Sequence, residues 1–129
     1  MILTEKLNIT SLVHFLHNVE TSDLPAIYQL AQLFIYPSVF EGFGIPILEA
    51  LCSETPVITS IGSCFEETGG KHSLYVHPQN AEEIGVTMLN VLSDSNLRES
   101  MKKEGLVYSD NFTDDKIARN LMSVYQKLL

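Results

Sequence analysis

Apolar residues along this chain fall into short uninterrupted runs and longer periodic segments. Four short runs are apolar at nearly every position, which is typical of strands buried on both faces of a parallel sheet. They comprise residues 12–16, 33–37, 56–59 and 74–76. Residues 24–32 and 46–53 each carry a proline in the first turn of a predicted helix. This alternation predicts the α/β class: a doubly wound, Rossmann-like parallel sheet of about four strands with helices on both faces.

The last third of the chain is predicted to be helical. Apolar residues recur there at intervals of three and four, which places them on one face of each of three C-terminal helices. The three sets are Ala81, Ile84, Gly85, Met88, Leu89 and Leu92; Leu97, Met101, Gly105 and Tyr108; and Ile117, Leu121, Met122, Tyr125 and Leu128. Asn80 and Thr113 stand where helix-capping residues are favoured. We expect the methionine and tyrosine side chains of these helices to pack in the core.

Length and charge narrow the classes of function. With 129 residues the chain suits one domain with its own core. Eight basic and sixteen acidic residues give a net charge of −8, which opposes binding to a nucleic-acid backbone. A small anion can still bind at a helix N-terminus. No apolar run approaches the ~20 residues that span a bilayer, and the two cysteines are interpreted as reduced thiols, so we expect a cytoplasmic protein.

The segment 37–50 carries the residues with the clearest chemistry. It follows a predicted strand and opens a predicted helix, and ligands of open parallel sheets bind outside the carboxyl ends of the strands. Gly42 and Gly44 allow the backbone to approach a ligand closely or to adopt a positive φ. Free N–H groups at residues 44–47 would favour an anion such as a diphosphate. Pro46 fits that first turn, where its missing N–H would have had no helical partner.

Two glutamates of this segment are candidate ligand-binding residues. Glu49 stands about one turn into the helix, where its carboxylate can accept hydrogen bonds from ribose hydroxyls. Dinucleotide-binding folds use an acidic residue in this way at a different spacing. Glu41 lies in the loop ahead of the helix, nearer the group to be transferred. On spacing alone, an equally supported alternative is that both glutamates are solvated charges and that the glycines simply make a turn.

The run from Glu41 to Glu49 resembles the Glu-x7-Glu motif of the group 1 retaining glycosyltransferases, which have the GT-B architecture. The surrounding residues fit the pattern of that family in register. They are residues 24–31, Tyr36-Pro37-Ser38, Glu41-Gly42-Phe43-Gly44-Ile45-Pro46, Glu49-Ala50-Leu51, Thr55-Pro56-Val57-Ile58, Glu67, Gly70, Leu74, Pro78 and Tyr125. The resemblance covers nearly the whole chain from Val13 onward.

The resemblance implies a role for each residue of the motif. Glu49 would bind the ribose of a nucleotide-diphosphate sugar, and Glu41 would be the catalytic residue that contacts the donor sugar near its anomeric carbon. The residues that would line the donor site are Gly42, Phe43, Gly44 and Ile45. The backbone of residues 43–45 would also hold phosphate oxygens. Transfer would retain the anomeric configuration without a metal or a cofactor, and the sequence contains no Asp-x-Asp pair.

The resemblance also implies what this chain leaves out. Residues 1–129 would be part of the C-terminal, nucleotide-sugar-binding domain, without the N-terminal domain that binds a glycan or lipid-linked acceptor. The Gly-rich turn and the Arg–Lys pair that grip the diphosphate would also be missing. We therefore expect weak nucleotide binding and no sugar transfer by this chain alone. An exposed sheet edge would favour a homodimer, and the full-length enzyme would act in the cytoplasm or at the inner face of the membrane.

Four positions depart from the family pattern, and two other functions stay open. His17 and Glu54 replace glycines, Glu66 replaces a proline and His77 replaces an aspartate. If φ is positive at residue 54, the loss of a helix-ending glycine costs about 1 kcal/mol. One alternative function is a GT-B-type epimerase or phosphorylase, although the contiguous Glu-x7-Glu run argues against it. The other is a non-catalytic nucleotide-binding or assembly module.

Overall fold

The computed structural model describes residues 3–128, and within them three parallel strands form one sheet in the order β1-β2-β3. The strands are β1 (Phe34–Tyr36), β2 (Val57–Ser60) and β3 (Leu74–Val76). Tyr36 pairs with Thr59, and Ser60 pairs with Val76, so the carboxyl ends of the strands lie at one edge of the sheet. The α/β class and the parallel sheet are therefore confirmed.

Helices precede, connect and follow the strands. They are α1 (Leu3–Lys6), α2 (Leu24–Leu30), α3 (Ile45–Cys52), α4 (Phe65–Gly69), α5 (Ala81–Ser93), α6 (Ser95–Ser109) and α7 (Asp114–Leu128). Short 3-10 turns occupy Thr10–Leu12, Thr21–Asp23, Gly70–His72 and Asp110–Phe112. The sequence did not predict α4, because five residues are too few to show a helical period. Among the described helices, none combines the length and the apolar character needed to cross a membrane.

The predicted strand at residues 12–16 is wrong. Leu12 ends a 3-10 turn, and Val13 is extended, with φ −112° and ψ 123°. Nevertheless, residues 12–16 form no strand pair with any segment within residues 3–128. The side chains of Phe15 and Leu16 are 67% and 64% exposed. An apolar run favours a strand only where a second strand completes its backbone hydrogen bonds. The described sheet consequently has three strands and not about four.

The core lies on both faces of the sheet because successive strand residues point to opposite sides. Val57 packs on one face with Phe65 of α4 and with three residues of α3, namely Ile47, Ala50 and Leu51. Ile58 and Val76 pack on the other face with Val91 of α5 and Met101 of α6. The predicted helices on both faces are thus confirmed.

Helix α6 approaches α3 closely at Gly105. A Cβ atom at Gly105 would lie 2.8 Å from Cδ2 of Leu51, so only a glycine fits without a shift of the leucine side chain.

Helix α7 is not packed in the core as predicted. Met122 and Tyr125 are 54% and 53% exposed, because no described element covers the apolar face of α7.

The helix ends show which capping predictions hold. Asn80 accepts a hydrogen bond from the Glu83 N–H at 3.2 Å and caps α5 as predicted. At the end of α3, the Glu54 N–H donates to Leu51 and the Thr55 N–H donates to Ala50. These two bonds form a Schellman motif, in which the residue after the cap is left-handed. Glu54 has φ 55°, the conformation in which glycine is preferred.

The left-handed conformation of Glu54 predicts a difference in stability between two variants. We expect Glu54→Gly to be more stable than Glu54→Ala by about 1 kcal/mol, because both remove the same charge and only glycine relieves the left-handed strain. Urea denaturation of the two variants measures the difference in the free energy of unfolding. Equal stabilities would show that residue 54 carries no strain.

Candidate functional site

The loop between β1 and α3 occupies the carboxyl edge of the sheet, where the sequence placed a ligand site. Gly44 ends the loop as the N-cap of α3 with φ 90° and ψ 46°. A Cβ atom there would lie 3.1 Å from Cδ1 of the buried Ile47. Gly42, in contrast, has open space around it and no positive φ. Of the two predicted glycines, Gly44 is therefore the one that the backbone conformation requires.

Side chains from β2 and the segment that follows it bind the backbone carbonyls of this loop. Four carbonyls accept such hydrogen bonds, and we call this set the carbonyl clamp. Its pairs are Thr59 Oγ1 to Tyr36 (3.0 Å), Ser60 Oγ to Ser38 (2.5 Å), Ser63 Oγ and Cys64 Sγ to Glu41 (3.3 and 3.4 Å), and Thr68 Oγ1 to Phe43. Thr59, Ser60 and Thr68 are fully buried, so the clamp anchors the loop to the interior of the domain.

The N–H groups at the end of the loop take no part in the clamp. Those of residues 42–45 donate to no acceptor within the described chain. The Ile47 N–H, which the sequence analysis also counted as free, donates to the Gly44 carbonyl at 2.9 Å. The set of available donors therefore lies at 42–45 and not at 44–47. Two of them belong to the N-cap Gly44 and to Ile45, the first residue of α3, and unpaired N–H groups at a helix N-terminus favour an anion.

Glu41 is held by two hydroxyl groups that meet at the same carboxylate oxygen. Tyr36 Oη donates to Oε1 at 2.7 Å, and Ser38 Oγ donates to Oε1 at 2.8 Å. The hydrogen bond from Tyr36, followed by that from Ser38, lowers the pKa of Glu41 below its ordinary value. The half-buried carboxylate is therefore ionised at neutral pH.

Glu49 faces a separate cavity between α2 and α3. Tyr28 Oη donates to Oε2 of Glu49 at 3.1 Å. Burial, together with this hydrogen bond, raises the pKa of Tyr28 to about 12, so its hydroxyl remains a donor at neutral pH. The cavity has a volume of about 340 Å³. Its lining residues are Thr21, Leu24, Pro25, Tyr28, Leu48, Glu49, Cys52 and Ser53.

An aromatic row connects the two glutamate sites. Phe34 packs edge-on against Tyr28 at 5.2 Å and stacks on Tyr36 at 5.9 Å between ring centroids. The two tyrosines that bind the glutamates are thus packed against the same half-buried phenylalanine. Of the remaining predicted residues, Phe43 lies in the loop and packs against Phe112 at 5.7 Å between ring centroids, and Ile45 begins α3 and is 62% exposed.

Sequence reasoning found the two glutamates and the glycines but missed the side chains that hold them. The missed residues are Tyr28, Tyr36, Ser38, Thr59, Ser60 and Thr68. A signal was present, since hydroxyl groups interrupt the apolar runs near the carboxyl ends of β1 and β2. At such positions a hydroxyl can satisfy the backbone of the adjacent loop.

Comparison with known proteins assigns the chain to a family. The profile described as "Glycosyl transferases group 1" matches residues 2–107. The chain belongs to this glycosyltransferase family. It is 33% identical to the O-antigen chain mannosyltransferase B of Escherichia coli over 116 residues. This alignment covers 90% of this chain and 30% of that protein. The chain is 40% identical over 79 residues to the O-antigen chain mannosyltransferase RfbU of Salmonella typhimurium, which covers 61% and 22% respectively.

The fold of this chain is also similar to that of a solved structure. The sucrose-phosphate synthase of Thermosynechococcus elongatus superposes with a TM-score of 0.87 and 26% identity, over 98% of this chain and 32% of that one. The glycosyltransferase fold expected from the motif is confirmed. This chain spans about a third or less of the length of each of these three proteins.

The geometry at Gly44 predicts a difference between the two glycines of the loop. We expect Gly44→Ala to lower the free energy of unfolding by about 1–2 kcal/mol, because it forces an L-residue into the left-handed region against Ile47. Gly42→Ala is the matched control and should change it by less than about 0.5 kcal/mol. Urea denaturation decides, and equal losses would contradict the special role of Gly44.

Proposed function

We propose that this chain is the donor-binding part of a retaining glycosyltransferase that uses a nucleotide-diphosphate sugar. The observation that carries the proposal is that the N–H groups of residues 42–45 have no acceptor in the described chain, while Thr59 of β2 and Thr68 of α4 hold the nearby carbonyls of Tyr36 and Phe43. The loop lies at the carboxyl edge of a parallel sheet, the usual position of a ligand in such folds. Membership of the group 1 family supports this reading of the geometry.

The diphosphate of the donor would bind at the N–H groups of residues 42–45. These donors are fixed before the ligand arrives, so they can stabilise the charge that develops on the leaving diphosphate without rearrangement. Their attraction acts against the net charge of −8 of the chain. Because one helix N-terminus contributes only about 0.3–1 kcal/mol for an exposed anion, binding by this chain alone should be weaker than micromolar.

The nucleoside would occupy the cavity between α2 and α3. Glu49 lines that cavity, and its carboxylate can accept hydrogen bonds from ribose hydroxyls. Tyr28 binds Oε2, which keeps the carboxylate at the cavity wall. The mostly apolar lining from α2, including Leu24 and Pro25, suits the face of a base.

Glu41 would contact the hydroxyls of the transferred sugar. Its ionised carboxylate can accept those hydroxyls and stabilise positive charge near the anomeric carbon. We propose departure and attack on the same face of the sugar, which retains configuration without a glycosyl-enzyme bond. Two of the relatives are named as mannosyltransferases of O-antigen chains, so a mannosyl donor is the first to test.

The acceptor and its position are further parts of the proposal. The matched relatives are about three times longer than this chain, and we propose that their remaining length binds the acceptor. A glycan or lipid-linked glycan is the proposed acceptor, as in polysaccharide biosynthesis, and the reaction would take place on the cytoplasmic side. Transfer requires the acceptor beside the anomeric carbon, so we expect no transfer by residues 1–129 alone.

The donor proposal is tested by NMR titration of the ¹⁵N-labelled chain with GDP-mannose, UDP-glucose and the corresponding nucleoside diphosphates, GDP and UDP. We expect the amides of residues 42–45 and of Glu49 to shift, with the same dissociation constant in EDTA because no metal is proposed. Glu49→Ala should weaken binding about tenfold, through the loss of charge-assisted hydrogen bonds. Glu82→Ala, on the exposed start of α5, is the control. Shifts confined to other regions would contradict the proposed site.

The outer edge of β1 supports a proposal on self-association. The Phe34 N–H donates to the Pro56 carbonyl at 2.8 Å, so Phe34 faces the neighbouring strand β2. Successive residues of a strand direct their backbone groups to opposite sides, and the N–H and carbonyl of Ile35 therefore point away from β2. No strand within residues 3–128 pairs with them. Such an edge can pair with a second chain, so we expect a dimer in sedimentation equilibrium at high protein concentration. A monomer at every concentration would contradict this expectation.

A further inference from the structure

Glu41 is fixed through both its side chain and its main chain. Tyr36 and Ser38 donate to Oε1 from the end of β1, at 2.7 and 2.8 Å. Ser63 and Cys64 donate to the Glu41 carbonyl from the segment after β2. The residue is therefore held by donors at or just after the carboxyl ends of β1 and β2, although it lies in a loop.

The two carboxylate oxygens of Glu41 differ in their surroundings. Oε1 accepts both hydroxyl hydrogen bonds, whereas Oε2 has no hydrogen-bond partner among residues 3–128. The Ser38 hydroxyl has a single proton, and its 2.8 Å contact with Oε1 is shorter than its 3.3 Å contact with the Phe40 carbonyl. One oxygen is thus saturated by the protein and the other is left as an acceptor.

The donors themselves are rigidly placed. The ring of Tyr36 stacks on Phe34, and its backbone carbonyl accepts a hydrogen bond from the buried Thr59 at 3.0 Å. The Ser38 carbonyl accepts one from the buried Ser60 at 2.5 Å. A glutamate without such partners would sample several rotamers and would lose that freedom on binding a ligand.

We propose that Tyr36 and Ser38 are positioning residues that fix Oε1 of Glu41 and thereby reserve Oε2 for a hydroxyl of the donor sugar. This inference rests on the proposed function, since it requires a sugar beside Glu41. The tyrosine and serine act on the glutamate and not on the sugar. Their removal should therefore weaken recognition of the sugar while recognition of the diphosphate persists.

The titration of Glu41 provides a readout that is independent of any ligand. The hydrogen bonds from Tyr36 and Ser38 lower the pKa of Glu41 because they favour its charged form. The other titratable group against Glu41 is the Cys64 thiol, which contacts the main chain and not the carboxylate. Because the folded pKa is depressed, the stabilisation is present at neutral pH and is lost as the pH falls through that lowered pKa.

The test compares Tyr36→Phe and Ser38→Ala with the wild-type chain. ¹³C NMR of the glutamate carboxyl groups should show the Glu41 pKa rising towards its ordinary value in both variants. In parallel, titrations with GDP-mannose and GDP should show the extra affinity for the sugar falling about threefold to tenfold, with unchanged affinity for GDP. Tyr75→Phe is the matched control, since Tyr75 lies on β3, two strands away from β1, and its hydroxyl donates to the Gly70 carbonyl and not to Glu41.

The outcomes separate this inference from the proposed function. An unchanged Glu41 pKa in Tyr36→Phe overturns the positioning role. So does an equal loss of GDP-mannose and GDP affinity, or the same effect in Tyr75→Phe, since either indicates general damage to the fold. If the wild-type chain binds neither ligand, the proposed function fails and this inference falls with it. If the wild type prefers GDP-mannose and the variants keep that preference, only the positioning role fails.

Discussion

The site depends on how the carbonyls of the loop at residues 36–43 are satisfied. A buried or half-buried carbonyl must find a donor, and the N–H groups of a tight loop are the nearest candidates. Here the carbonyl clamp supplies hydroxyl and thiol donors from β2 and the residues after it, and the Ser38 N–H adds one bond to the Tyr36 carbonyl, while the N–H groups of residues 42–45 have no acceptor in the described chain. The parallel register makes this possible because it places Thr59 directly beside Tyr36. Without that pairing, the Tyr36 carbonyl would lose the donor that the Thr59 side chain supplies.

Local sequence information was sufficient for three strands, for most of the helices and for the positions of the motif residues. The apolar period located α5 and α6, the proline and glycines located the start of α3, and the motif located Glu41 and Glu49. The clamp was beyond reach because its partners are separated by 22 to 25 residues and meet only once β1 and β2 are in register. Register is a property of two segments, and neither segment encodes it alone.

Two of the wrong predictions share a physical cause. The run at residues 12–16 and the face of α7 are both apolar, and both were predicted to be buried. Leu12 is 75% exposed and Leu128 is 78% exposed, because no described element packs against them. An apolar pattern reports the tendency of a segment to leave water, whereas burial also requires a partner surface. An apolar run therefore predicts burial only where another part of the same chain packs against it.

Both glutamates of the motif are held by tyrosine hydroxyls and not by cations. Tyr28 binds Glu49 and Tyr36 binds Glu41, and Phe34 packs between the two rings. An arginine would bind a carboxylate through both oxygens and would neutralise its charge, which would leave little for a ligand. A neutral hydroxyl orients the carboxylate through one oxygen and preserves its negative charge. In the donor site that we propose, where both carboxylates accept sugar and ribose hydroxyls, that difference favours tyrosine at both positions.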